Sequence, residues 1–134
     1  AAARAPGQWD VLVAEDNVVN QQFICAVLAR MGCQVTLCEN GADALHAARG
    51  HVFDLVLMDI HMPVMDGLQA TRGIRALPAP MNAVPIFAIT ADVFEDTREK
   101  AIQAGVNRLL TKPLALQALR EALADLTARP AQAH

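Results

Sequence analysis

Three short apolar runs in this chain show no alternation between apolar and polar residues. They read VLVA at 11–14, LVLM at 55–58 and IFAI at 86–89, and polar or turn-forming residues bound each of them. A strand with one face in water alternates, whereas an unbroken apolar run of this length is typical of a strand that is covered on both faces. Such strands occur in parallel sheets with helices on both sides, so the runs predict an α/β protein.

Stretches with helical spacing lie between these runs, and two further candidate strands, CQVTLCEN and NRLLTKP, complete the pattern. In the first helix, Phe23, Val27 and Met31 recur every four residues, and Gly32 is placed to end it. The later helical segments are 42–49, 97–104 and a final helix with the apolar stripe Leu116, Leu119, Leu123 and Leu126. Five strands that alternate with five helices predict a three-layer α/β sandwich around a parallel sheet.

Length, composition and charge limit the function classes. A chain of 134 residues with 54% hydrophobic and 19% charged residues is about one packed domain. The net charge of −3 and the lack of a Lys/Arg cluster argue against direct binding to nucleic acid. No apolar run approaches the roughly 18 to 20 residues of a membrane span, and residues 1–8 lack the apolar core of a signal peptide. We therefore expect a cytoplasmic domain without membrane contact of its own.

Polar residues follow four of the predicted strands at the point where each strand ends. Glu15 and Asp16 come after the first strand, Asp59 after the third, Thr90 after the fourth and Lys112 after the fifth. In an open parallel sheet, the carboxyl ends of the strands meet at one crevice where the strand order reverses. We therefore expect three carboxylates, one hydroxyl and one ammonium group to lie close together.

This set of side chains suits phosphoryl transfer. Clustered carboxylates repel one another unless a cation neutralises them, and hard oxygen ligands suit Mg²⁺. A carboxylate that points into such a site can attack phosphorus and form an aspartyl phosphate. A lysine and a metal ion would then offset the charge of the phosphoryl group during transfer.

The motifs AEDN, MDIHMPVMDG, ITA and TKP occur in this order along the chain. Together they resemble the receiver domain of two-component response regulators, over about Asp10 to Leu126. The run EDNVVNQQ is particularly similar to receivers attached to hybrid sensor kinases. The resemblance implies a flavodoxin-like fold with a five-stranded parallel sheet of order 2-1-3-4-5. It also implies a domain that catalyses its own phosphorylation and dephosphorylation rather than the turnover of an external substrate.

The resemblance assigns a role to each residue at the predicted edge of the sheet. Asp59 would accept the phosphoryl group, and it would bind Mg²⁺ together with Asp16 and the backbone carbonyl of His61. Glu15 would hold a metal-bound water molecule.

Two further residues would act on the phosphoryl group itself. Thr90 would reach the bound group, and Lys112 would form an ion pair with it. The peptide bond between Lys112 and Pro113 is expected to be cis, as in the family. The chain departs from the family at Leu109, where an aromatic switch residue is usual, and it contains no tyrosine. The usual aromatic route for the signal is therefore not expected here.

One face of the first helix is a candidate docking surface. If Phe23 and the residues in register with it face the core, then Val18, Gln22 and Cys25 form an outward stripe that begins beside the acidic pocket. We expect this stripe to contact the helical domain that carries the phosphorylated histidine. The partner would be a histidine kinase or a histidine phosphotransfer domain.

The Ala/Pro-rich ends suggest that the domain is part of a longer protein. Residues 1–8 are interpreted as a linker, 9–127 as the receiver domain and 128–134 as a flexible tail. A receiver from a hybrid histidine kinase is the first interpretation. A stand-alone regulator or a phosphorelay shuttle is the alternative.

Other classes fit the residues less well. A haloacid-dehalogenase-type phosphatase would need a second Asp two residues after the nucleophile, where His61 stands. A flavodoxin would need a Ser/Thr/Gly-rich phosphate loop after the first strand, and this chain has EDN there. A pseudo-receiver that acts only as a binding module would ordinarily lack Asp59, Lys112 or the acidic pair, and all are present.

Overall fold

A computed structural model of the chain describes residues 9–91 and 94–128. Five strands alternate with five helices in this part of the chain. The strands are β1 Asp10–Ala14, β2 Gln34–Cys38, β3 Leu55–Asp59, β4 Ile86–Thr90 and β5 Arg108–Thr111. The helices are α1 Val18–Arg30, α2 Gly41–Gly50, α3 Gly67–Arg75, α4 Glu95–Ala104 and α5 Leu116–Ala128. A short 3₁₀ turn at Met81–Ala83 precedes β4.

The strands form one parallel sheet in the order β2-β1-β3-β4-β5, as predicted. Every residue of β3 and β4 is buried, and so are the last four residues of β1. This burial explains why their sequences do not alternate, since both faces of these strands are covered. The edge strand β2 is more open, and its Leu37 is 42% exposed.

Alternate residues of the central strands serve two separate cores. Odd-numbered residues such as Val11 and Leu57 pack with α1 and α5, whereas even-numbered residues such as Leu12 and Met58 pack with α2 and α3. Ala88 of β4 packs against Ala101 of α4 on a smaller patch. Helices therefore cover both faces of the sheet. The loops meet at the ends of the strands.

Side-chain caps fix where the first three helices begin. Asn17 caps α1 by accepting a hydrogen bond from the Asn20 amide. Asn40 caps α2 by accepting a hydrogen bond from the Asp43 amide. Asp66 and Gln69 form a reciprocal capping box at the start of α3. Each of these helices begins just after a loop at the carboxyl edge of the sheet, so the caps also anchor those loops.

Two helix positions differ from the predictions. Phe23, expected to face the core, is 37% exposed, because the buried face of α1 is centred on Ile24 and Leu28. Leu116, expected in the apolar stripe of α5, is 41% exposed, while Leu119 and Leu123 are buried as predicted. Phe23 lies at the border of the buried face of α1, and Leu116 is the first residue of α5.

The predicted helix ends agree closely with the structure. Gly32 and Gly105 have positive φ values of 84° and 111° and end α1 and α4, whereas Gly50 is the last residue of α2 rather than a residue beyond it. Helix α5 extends to Ala128. The predicted linker 1–8, the rest of the predicted tail and the side chain of Leu126 lie outside the described residues. No described helix has the length and apolar character needed to cross a bilayer.

The loop between β3 and α3 is held tightly on both sides. A Cβ atom at Gly67 would collide with the carbonyl oxygen of Asp59, and one at Gly41 would collide with that of Met65. Within the loop, the Met65 amide donates to the Pro63 carbonyl at 2.7 Å, which closes a γ-turn centred on Val64. Val64 has φ of 70° and is 84% exposed. A β-branched residue is strained at positive φ, and this one gains no burial in return.

Replacing Val64 with Gly should therefore stabilise the protein. We expect the free energy of unfolding to rise by about 0.5–1.5 kcal/mol, because relief of strain exceeds the entropy that glycine adds to the unfolded chain. Urea unfolding followed by the fluorescence of Trp9, the single tryptophan, measures this change. The matched control is Val52→Gly at another exposed valine, which should be neutral or destabilising. Equal destabilisation by both substitutions would contradict the assignment of strain to Val64.

Candidate functional site

The structure brings the predicted residues together at the carboxyl edge of the sheet. Asp59 and Thr90 are the last residues of β3 and β4, and Lys112 directly follows β5. Glu15 directly follows β1, and Asp16 is next to it. The register places β1, β3, β4 and β5 side by side, so these loops converge although they are far apart in sequence.

Lys112 joins two buried carboxylates. Its Nζ donates a hydrogen bond to Asp59 Oδ2 at 3.0 Å and lies 3.5 Å from Glu15 Oε1. Asp59 is 1% exposed and Glu15 is fully buried. The peptide bond between Lys112 and Pro113 is cis, as the resemblance implied. One ammonium group thus faces two carboxylates, which leaves this part of the site with excess negative charge.

The carboxylates are spaced to share a cation. Oxygen atoms from Glu15, Asp16 and Asp59 all lie within 4.8 Å of one another. Glu15 Oε1 is buried and accepts no hydrogen bond from the described residues. A buried carboxylate oxygen without a hydrogen bond is unfavourable, and the Lys112 charge 3.5 Å away is shared with Asp59. The hard oxygen donors, their excess negative charge and this unsatisfied atom fit a divalent cation such as Mg²⁺.

Backbone hydrogen bonds fix the loop that carries Asp59 and His61. The His61 amide donates to Asp59 Oδ1 at 3.3 Å, and the Ile60 amide donates to the Ile89 carbonyl at 3.0 Å. The Gly67 amide donates to the Ile60 carbonyl at 2.8 Å, which ties the start of α3 to the end of β3. The side chain of His61 is exposed. These contacts hold the Asp59 carboxylate in one orientation.

Thr90 and Leu109 lie on neighbouring strands beside this loop. Thr90 is fully buried, and its carbonyl oxygen accepts a hydrogen bond from the Lys112 amide at 2.8 Å. This bond fixes the strand ends that carry the hydroxyl and the ammonium group relative to each other. Leu109 is partly buried and packs against the small patch that contains Ala88 and Ala101. The position where the family usually has an aromatic residue is therefore filled by a packed aliphatic side chain.

Burial and charge both act on the protonation of Asp59. Burial raises the pKa of Asp59, the charge of Glu15 raises it further, and the hydrogen bond from Lys112 lowers it, with a net value of about 7. Burial alone lowers the pKa of Lys112, but the nearby Asp59 and Glu15 outweigh this effect and raise it. Lys112 is therefore charged, and without a further cation Asp59 holds its proton unusually tightly.

The candidate docking residues on α1 differ in exposure. Val18 is 59% exposed and Gln22 is also exposed, whereas Cys25 is only partly so. Sequence reasoning missed the neighbouring apolar surface, because Phe23 was placed in the core. Phe23 and Val19 instead line a cavity of about 220 Å³ together with Leu114, beside Lys112. The exposed apolar surface of α1 is therefore wider than the predicted stripe.

Comparison with known proteins agrees with this arrangement. A family model described as the response regulator receiver domain matches residues 11–124. The sensor protein GacS of Pseudomonas syringae is 38% identical over 128 residues, which cover 94% of this chain and 14% of GacS. The chain therefore spans only a small part of that relative.

Two solved structures are similar over nearly the whole chain. The receiver domain of sensor histidine kinase PA1611 from Pseudomonas aeruginosa, with a magnesium ion in its active site cleft, has a TM-score of 0.84 and 39% identity. The match covers 91% of this chain and 99% of that one. The receiver domain of Saccharomyces cerevisiae Ssk1, in complex with the histidine phosphotransfer protein Ypd1, has a TM-score of 0.80 and 30% identity. Here the coverage is 89% and 88%.

A parallel sheet of order 2-1-3-4-5 with five helices defines a flavodoxin-like α/β domain. Within that class, the family match over residues 11–124 is decisive. The chain belongs to the response regulator receiver domains of two-component signalling.

The raised pKa of Asp59 predicts how the stability of an Asp59→Asn variant depends on pH. The pKa of an aspartate in an unfolded chain is about 3.9, and that of Asp59 is raised to about 7. The folded state therefore binds this proton more tightly than the unfolded state, and the contribution of Asp59 to the free energy of unfolding falls as the pH rises from about 4 to 7. Asparagine carries no such charge, so the variant avoids this loss.

We expect Asp59→Asn to be more stable than the unmodified protein by about 1–3 kcal/mol at about pH 8. The difference should shrink towards about pH 4, where Asp59 is protonated in both states. Urea unfolding in the presence of a chelator, at several pH values, measures it. A difference that is constant with pH would show that the titration of Asp59 does not cause the change.

Proposed function

We propose that Asp59 is the phosphoryl acceptor of this receiver domain. In the reaction, an Asp59 carboxylate oxygen attacks the phosphorus of a phosphorylated histidine, the P–N bond breaks, and the phosphoryl group becomes an acyl phosphate on Asp59. The observation that carries the proposal is the contact of Lys112 Nζ with Asp59 Oδ2 at 3.0 Å, in an acidic cluster in which Asp59 and Glu15 are buried. A lysine in this position offsets negative charge on the transferring group.

The acidic cluster would hold Mg²⁺ through Asp16, Asp59 and the backbone carbonyl of His61, with Glu15 acting through a water molecule. When bound, the ion supplies positive charge that favours the ionised form of Asp59 and the transferring phosphoryl oxygens. The buried, unsatisfied Oε1 of Glu15 supports this assignment, since a hydrated cation would satisfy it. The PA1611 receiver domain, which is similar in sequence and fold, holds a magnesium ion in its active site cleft.

Thr90 and Lys112 would stabilise the product. Lys112 already donates to Asp59, and it would move only a short distance to pair with a phosphoryl oxygen. Thr90 ends the strand next to Asp59, from which its hydroxyl would donate to another oxygen of the group. The phosphorylated domain would later lose the group to water or pass it to another histidine. Its chemistry therefore acts on itself and not on an external substrate.

The phosphoryl donor would be a helical domain with an exposed phosphohistidine, from a histidine kinase or a histidine phosphotransfer protein. The donor would dock on α1, where Val18 is 59% and Val19 71% exposed near the mouth of the site. Apolar surface of this kind favours a protein partner over a small anion. The Ssk1 receiver domain has been crystallised with the histidine phosphotransfer protein Ypd1. We also propose that the chain is the receiver domain of a hybrid histidine kinase and that it lies in the cytoplasmic part of that protein.

Intact-protein mass spectrometry after incubation with acetyl phosphate and Mg²⁺ tests the acceptor. We expect one added phosphoryl group on the unmodified protein, because Asp59 is poised beside Lys112. The adduct should be absent from Asp59→Asn and from samples with a chelator. Asp125→Asn is the matched control, since Asp125 lies on the surface in a pair with Arg108 and should not affect labelling. Labelling of Asp59→Asn at the normal rate would place the acceptor elsewhere.

A charge at Val18 tests the docking surface. We expect Val18→Lys to slow phosphoryl transfer by about tenfold or more, because it places an ammonium group in an apolar contact. The donor for this assay is a phosphorylated histidine phosphotransfer domain that has been selected by its transfer to the unmodified chain. The control is Val52→Lys, a valine of similar exposure at the opposite end of the sheet.

Labelling of both variants by acetyl phosphate should remain normal, since a small donor needs no docking surface. An unchanged transfer rate for Val18→Lys would refute docking at this part of α1. Slower labelling by acetyl phosphate would instead show damage to the site itself.

A further inference from the structure

Gln21 is a polar residue on the buried side of α1. Its side chain is only 9% exposed, and it shares this side of the helix with Ile24 and Leu28. An amide group in such a place is unfavourable unless it forms hydrogen bonds. Its Nε2 donates to the backbone carbonyl oxygen of Glu15 at 2.7 Å. The helix therefore reaches back and binds the loop that carries the acidic pair.

Hydrogen bonds hold the peptide groups on both sides of Asp16. The preceding peptide carbonyl, that of Glu15, accepts the bond from the Gln21 side chain. The following peptide N–H, that of Asn17, donates to Glu15 Oε2 at 3.1 Å. The Gln21 backbone amide also donates to the Asn17 carbonyl at 2.9 Å. With its flanking peptides fixed, Asp16 keeps its carboxylate beside the buried ones although its own side chain is exposed.

The same loop is fixed to the sheet from the other side. The Glu15 amide donates to the Cys38 carbonyl at 3.0 Å, which continues the pairing of β1 with β2 by one residue. The Glu15 amide belongs to the peptide before Glu15, whereas the Gln21 side chain holds the carbonyl of the peptide between Glu15 and Asp16. Loss of the Gln21 contact would release that carbonyl. That peptide could then rotate, and rotation would move the two carboxylates relative to Asp59.

We propose that Gln21 is a positioning residue for the divalent cation. Its side-chain amide fixes the Glu15–Asp16 peptide and so keeps both carboxylates at the spacing that a cation requires. This inference rests on the proposed function of the acidic cluster as a Mg²⁺ site. Gln21 would act on the cation only through the residues that it orients. Residues that orient metal ligands typically affect metal affinity by about 10- to 100-fold.

Two substitutions at Gln21 remove the contact in different ways. Gln21→Met keeps the length and helix preference of the side chain but has no N–H donor. Gln21→Asn keeps the amide but is one methylene group too short to reach the Glu15 carbonyl. The control is Gln103→Met, an exposed glutamine on α4, which makes the same chemical change away from the site.

The first measurement is the Mg²⁺ dissociation constant of each protein by calorimetric titration, under conditions where urea unfolding shows that the protein is folded. We expect both Gln21 variants to raise it by about tenfold, and Gln103→Met to leave it unchanged. The second measurement is the rate of labelling by acetyl phosphate as a function of Mg²⁺ concentration. The half-saturating Mg²⁺ concentration should rise by a similar factor, while the rate at saturating Mg²⁺ stays within about twofold.

The outcomes separate this inference from the proposed function. If the unmodified protein does not bind Mg²⁺, the proposed metal site itself is wrong. If it binds Mg²⁺ and a folded Gln21 variant binds it equally well, Gln21 only satisfies a buried carbonyl and the inference is wrong. Should Gln21→Met not fold, Gln21→Asn alone decides the question, because its polar side chain tolerates water in the space that is vacated.

Discussion

The burial of two carboxylates beside one ammonium group is the constraint on which the site depends. Glu15 and Asp59 are almost fully buried, and Lys112 contacts both. A buried charge pair contributes little net stability, because desolvation offsets its attraction, and an extra unpaired charge is strongly unfavourable. Burial raises the pKa of Asp59, and the charge of Glu15 raises it further. The domain therefore carries a local instability that a bound cation would relieve.

The parallel sheet makes such a cluster possible. The central strands β1, β3 and β4 run through the core and end side by side, so Glu15, Asp59 and Thr90 lie close together although each of them is buried. The two cores supply the stability that the acidic edge lacks, since the central strands are covered by helices on both faces. Rigid strands also fix the reacting side chains more precisely than free loops would, and the loop glycines allow the backbones to approach closely.

Much of this arrangement was predictable from the sequence. A strand that is buried on both faces has an unbroken apolar run, and the carboxyl ends of parallel strands bring the residues that follow them close together. The strands, their order through the resemblance, and the meeting of Asp59 with Lys112 follow from these facts. Other features depend on tertiary packing, which periodicity does not encode. Phe23 fits the helical spacing but lies at the edge of the buried face, and Gln21 turns inward because a loop carbonyl lies within reach. The strain at Val64 is a property of its backbone and leaves no mark in the composition.

Phosphorylation would change the charge at a fixed point in this network. An acyl phosphate carries more negative charge than a carboxylate, so it would compete with Glu15 for Lys112. A modification shifts a conformational equilibrium only by its different interactions with the two states, and a shift from 1:99 to 99:1 takes about 5.5 kcal/mol. Thr90 ends β4 and Lys112 directly follows β5, and Leu109 of β5 packs near Ala101 of α4. With an aliphatic side chain at Leu109, a shift at the strand ends would reach α4 through packing and not through the rotation of an aromatic ring.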